Sequence, residues 1–166
     1  KFKDKIMNTK GFTLIELIIV IAIIALLAAA TFVAVDPAKR IGEARDAQRW
    51  SDVTAVADAY MKYVVDNNGS YVTTTNDGVV NFIRHTAGVA GTAPASCPAS
   101  TTVTSASDVD LHGLVSAGYI GDIPDDPGGT DNDGTDYYFY KEASGKVLVG
   151  SCTKYSGASV YPTVTR

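Results

Sequence analysis

From Leu17 to Val35, nineteen consecutive positions contain a single polar side chain, Thr31. Polar residues then return with a helical period. Ile41, Ala44, Ala47, Trp50, Val53, Ala57, Tyr60 and Val64 recur every three or four residues, the mark of an amphipathic helix with one apolar stripe. That stripe places Trp50 and Tyr60 in contact with a core. Asp66-Asn67-Asn68-Gly69 closes the helix, with Gly or Asn available for the left-handed terminal residue. Between the two patterns, Asp36-Pro37 reads as a helix start, since Asp caps and Pro suits the first helical position. It reads equally as a kink in one long helix.

Residues 67–166 change character. Val79, Val80, Phe82 and Ile83 form a short apolar cluster, and 86–107 is rich in Ala, Thr, Ser, Gly and Pro, as an exposed loop is. Asp108 to Ala117 carries Leu111, Leu114 and Val115 ahead of Gly118, which predicts a short helix. Tyr137-Tyr138-Phe139-Tyr140 and Lys146-Val147-Leu148-Val149 flank Ala143-Ser144-Gly145, a β-hairpin signal, and a last strand falls within 158–164. The expected fold is α+β: a long apolar N-terminal helix continuing into an amphipathic helix packed on a small antiparallel β-sheet. The segments are 1–11, 12–35, 36–66 and 67–166.

The apolar segment is roughly 36 Å long as a helix and spans a hydrocarbon core of about 30 Å with some tilt. A secretory signal peptide fits the basic leader (Lys1, Lys3, Lys5, Lys10) and Ala28-Ala29-Ala30. It does not fit the length of the run or an acid, Glu16, inside it. A plain single-pass anchor leaves Glu16 equally unexplained. A carboxylate in such a segment costs on the order of 3 kcal/mol at mid-helix and points to function.

Lys10-Gly11-Phe12-Thr13-Leu14-Ile15-Glu16 followed by a long apolar helix resembles the N-terminus of type IV pilins and type II secretion pseudopilins. The resemblance implies that a prepilin peptidase cuts between Gly11 and Phe12 and that Phe12 is then N-methylated. It implies that Glu16 pairs with the α-amine of a neighbouring subunit during assembly. An assembly ATPase and a membrane platform protein are the further partners it implies, besides copies of the chain itself. The chain departs from many members at Val33, where they carry a proline; here the first proline is Pro37. The implied course runs from a precursor in the cytoplasmic membrane to an extracellular filament. The alternatives are the major pseudopilin of a secretion or DNA-uptake pseudopilus, and a singly displayed membrane-anchored binding module.

Cys97 and Cys152 are the only cysteines, and in an exported domain such a pair reads most simply as a disulfide. It would close a loop of 56 residues counted inclusively, worth roughly 4 kcal/mol in the chain-entropy model. Asp122, Asp125, Asp126, Asp131, Asp133 and Asp136 crowd a segment without Lys or Arg. Oxygen donors at that density suit Ca²⁺, with Asp125, Asp126, Asp131, Asp133 and Asp136 as candidate ligands. Major pseudopilins of type II secretion hold calcium in a comparable loop, and Ile123-Pro124-Asp125-Asp126-Pro127 resembles its approach. A solvated acidic turn held open by Gly128, Gly129 and Gly134 is the competing reading.

An enzyme is disfavoured: His85 and His112, the only histidines, stand in no metal or triad motif, and no Gly-rich phosphate loop opens a helix. Asn68-Gly69-Ser70 fits a glycosylation sequon, yet a helix-ending turn asks for the same residues. The formal charge is −4; without residues 1–11, which hold four Lys and one Asp, it becomes −7. That balance lacks the footprint of broad nucleic-acid binding.

Overall fold

The computed structural model describes residues 11–72, 78–84, 97, 108–129 and 134–166. Two compact units divide the chain, residues 1–40 and 41–166. The leader up to Lys10, most of the 86–107 loop, His85, Asp131 and Asp133 lie outside the described residues.

Helix α1 runs Leu14–Val35, and Thr13, in extended conformation, caps it. The cap works in both directions. Thr13 Oγ1 accepts from the Glu16 backbone N–H, while Glu16 reaches back to the Thr13 N–H. Orphan donors of the first turn are thereby satisfied. The lone hydroxyl of the apolar run, on Thr31, donates to Ala28 O at 2.9 Å. Asp36 ends the helix with left-handed backbone (φ 46°). Its side chain then accepts from Lys39 N, so the same residue helps start helix α2, Pro37–Asp66.

In the second unit α2 packs on a five-stranded sheet. The strands are β1 Val80–Arg84, β2 Asp108–Val109, β3 Gly134–Lys141, β4 Val147–Ser151 and β5 Thr163–Thr165, in the spatial order β2-β1-β3-β4-β5. The hairpin β3–β4 is antiparallel through Tyr137↔Ser151 to Lys141↔Val147, and Gly145 supplies the positive φ its turn requires (86°). The sheet is mixed, not wholly antiparallel: β1 and β2 pair in parallel, Phe82 with Asp108 and Ile83 with Val109. Parallel neighbours need a long crossover, which the Ala/Thr/Ser-rich stretch supplies. Asp108 and Val109 are therefore strand, and the short helix α3 is confined to His112–Ser116. The final strand is shorter than its apolar pattern and begins after Pro162, which lacks the N–H a ladder uses.

Side chains alternate along β3. Tyr137 and Phe139 enter the main core with Val53, Val56, Ala57 and Tyr60 of α2, Leu111, Leu114, Val147 and Val149. Tyr138 points to the other face and joins Val80, Phe82 and Cys152 in a second cluster, against which Cys97 packs. The ring of Tyr138 lies over Gly150, where any Cβ would stand about 2.5 Å from the phenolic oxygen; only glycine permits that approach. Trp50 is not in the core. It is 41 % exposed, whereas Arg49 and Asp52 are buried, so the packed face of α2 is turned by about one residue from the apolar stripe at that end.

Candidate assembly site and the buried polar link

The N-terminal determinants stand together. Gly11 and Phe12 precede the cap, outside the helix, and Phe12 is 86 % exposed. Among the described residues nothing lies within 4 Å of a Cβ added at Gly11. Glu16, one turn inside α1, has donors from its own chain: Thr13 N at 2.9 Å and Thr13 Oγ1 at 2.7 Å, both to Oε2. The partner that the resemblance implies for Glu16 is a neighbouring subunit's α-amine; Thr13 is a second, local one. The missed signal was local, since Thr13-Leu14-Ile15-Glu16 has the spacing of a capping box before an apolar run. Hydrogen bonds from neutral groups leave the negative charge in place, and one oxygen, Oε1, takes no donor among the described residues.

No residue of α1 is buried. Among the described residues it is the one helix long and apolar enough to cross a membrane. Ile, Leu, Val and Ala side chains cover it on every side, which suits lipid or other protein and not water.

The second unit holds a buried ionic link that hydropathy did not reveal. Arg49 of α2 binds Asp126 through two bonds, Nε to Oδ2 at 2.6 Å and Nη2 to Oδ1 at 2.7 Å. Its Nη1 donates to Asp46 at 2.7 Å, and Asp46 in turn accepts from the Tyr155 backbone N–H. Asp126, with a fully buried side chain, also accepts from Gly128 N, Thr153 Oγ1 and Ser151 Oγ. Burial alone would raise the Asp126 pKa, but the bonds from Arg49, Thr153 and Gly128 N–H together hold it below the usual carboxylate range. The same pairing raises the Arg49 pKa. Beside it, Tyr137 donates to Asp52 at 2.8 Å, and burial followed by that bond raises the phenol's pKa.

This geometry bears on the calcium ligand set. Asp126 is the counter-ion of a guanidinium, and a divalent cation on the same oxygens would meet Arg49 at contact distance. Asp125 is exposed, and the Asp136 carboxylate lies against Gly129. Among the described residues no three His, Cys, Asp or Glu side chains come together as a metal site. Cys97 and Cys152 stand at disulfide distance, with Cα atoms 4.4 Å apart, tying the one described residue of the 86–107 stretch to the residue that follows β4. His112 Nδ1 sits 3.0 Å from Asp110, which also accepts the His112 backbone N–H, a local turn contact at the start of α3.

Comparison with known proteins falls on the N-terminus. Residues 6–32 match a family model described as the prokaryotic N-terminal methylation motif. No curated protein and no solved structure matches the chain. The motif implies processing by a prepilin peptidase and assembly into pilus-like filaments, and it points to a structural, non-enzymatic protein. With the prepilin-type motif at its head and the exposed apolar helix behind it, the chain carries the N-terminal signature shared by type IV pilin-like proteins and pseudopilins.

Proposed function

We propose that the protein is the structural subunit of an extracellular type IV pilus-like filament, inserted in the membrane as a precursor and polymerised through α1. The observation that carries this reading is the complete exposure of α1. Soluble monomers rarely leave more than a few hundred Å² of contiguous apolar surface uncovered, so a helix leaving lipid must bury against something, and copies of itself are the surface at hand. Identical contacts that do not close into a ring produce a helical polymer.

Cleavage between Gly11 and Phe12 would free an α-amine, with N-methylation of Phe12, one turn from Glu16. The exposed, non-helical stretch ahead of Thr13 supports access of a peptidase to that bond. In this reading the capping box holds the Glu16 carboxylate in place, and a neighbouring subunit's amine neutralises it. An unpaired charge buried in the filament would be penalised, so the pairing selects one register. The buried Arg49–Asp126 link favours this over a calcium-dependent secretion pseudopilin. Glu16→Ala is expected to abolish or sharply reduce filaments while membrane insertion persists, read by electron microscopy and membrane fractionation. Wild-type filament yield from that variant overturns the pairing. Gly11→Leu is expected to leave the leader attached, as measured by intact mass.

A further inference from the structure

We propose that Asn68 is an N-glycosylation site, its side-chain amide accepting a glycan from a lipid-pyrophosphate-linked sugar donor after the second unit is exported. Asn68-Gly69-Ser70 is the sequence's single Asn-x-Ser/Thr triplet, and the turn in which it sits does not account for it. Helix α2 closes through Gly69 N–H donating to Val64 O at 2.8 Å, with Asn68 left-handed at φ 53°. That closure needs a left-handed-tolerant residue at 68, which glycine serves at least as well, and it asks nothing of a hydroxyl at 70. The Asn68 amide and the Ser70 hydroxyl are what the turn leaves over.

Their placement suits an acceptor. Residues 68, 69 and 70 are all exposed, and Gly69 puts no side chain between the amide and the hydroxyl. Among the described residues the other asparagines are committed: Asn67 donates to Tyr63 O at 2.9 Å and Asn81 to Val79 O at 3.0 Å. The Asn68 side chain makes no hydrogen bond there. Its chief chemical competitor is deamidation, in which the Gly69 backbone nitrogen attacks the Asn68 side-chain carbonyl. That nitrogen is held by the bond to Val64 O, which opposes the attack.

In the transfer, a bond forms between Asn68 Nδ2 and the anomeric carbon of the donor sugar. The anomeric C–O bond to the lipid pyrophosphate breaks, the pyrophosphate departs, and the Nδ2 proton passes to a base on the transferase. The inference rests on export of residues 41–166, as the filament reading requires. Attached at the end of α2, the glycan would solvate an exposed turn without touching either buried cluster.

The test is peptide mass spectrometry on the chain purified from the surface fraction of its native cells, with Phe12 and the tryptic peptide 63–84 read in one digest. Expected are a methylated Phe12 and a 63–84 peptide heavier by one or more sugar residues, localised to Asn68 by fragmentation. Ser70→Ala should abolish the added mass and Ser70→Thr should retain it. A methylated Phe12 with 63–84 unmodified, deamidated or carrying sugar on Ser70 overturns the glycosylation inference and leaves the filament reading standing. A glycan on Asn68 with the leader still attached supports the site and overturns the filament reading.

Discussion

Arg49 and Asp126 show how a charged pair becomes part of a core. Each is enclosed, and each has hydrogen-bond partners beyond the other, which is the condition under which buried charges are tolerated. Removing one member strands the other. Arg49→Met should therefore cost about 3–5 kcal/mol, seen as a large fall in the melting temperature of the detergent-solubilised chain. Arg49→Met with Asp126→Leu should cost clearly less than the single change; equal losses would show that packing and not charge dominates. The Asp126 carboxyl titrates below its unfolded value of about 3.9. Its contribution is thus complete at neutral pH and is lost as pH falls beneath that value. Asp126→Asn should flatten this acid limb of the stability profile, measured by thermal unfolding across pH.

Among the elements, α1 and α2 differ in what specifies them. The body of the first is specified by composition, and its start by two residues, Thr13 and Glu16, whose side chains cap the first turn. Separating cap from charge gives a second test. Thr13→Val removes the hydroxyl but keeps the carboxylate, so it should reduce filament yield less than Glu16→Ala does. Equal loss from both would assign Glu16 a capping role only. Helix α2 is specified by a stripe that is only partly apolar. At its Arg49–Asp52 turn the residues facing the sheet are polar, because Asp126 and Tyr137 await them there. An apolar-periodicity argument instead selects Trp50, which is 41 % exposed.

For the whole molecule, stability of the second unit rests on α2 against the sheet, with the Cys97–Cys152 pair on the opposite face. Reduction, or Cys97→Ser with Cys152→Ser, should lower stability by up to about 4 kcal/mol, read as a reductant-dependent melting temperature. Chelation should leave that temperature unchanged to within about 1 °C if Arg49 neutralises the buried acid, since 1 kcal/mol moves it by several degrees in a domain of this size. A larger fall with chelator, together with bound calcium by elemental analysis, would return Asp125, Asp131, Asp133 and Asp136 to consideration as ligands without Asp126.

The membrane-competent helix, the prepilin motif, the hairpin about Gly145 and the turn after Asp66 were all legible along the chain. Each depends on neighbours a few residues apart, where period, cap and turn chemistry act. The parallel pairing of β1 with β2, the polar inward face of α2 at its Arg49–Asp52 turn and the Arg49–Asp126 link were not legible. They join residues far apart in sequence, 77 positions in the case of Arg49 and Asp126, and no local rule ranks one distant counter-ion or strand neighbour above another. Such pairings are chosen by the free energy of closing the whole core, where a buried carboxylate is admitted only beside the guanidinium that compensates it.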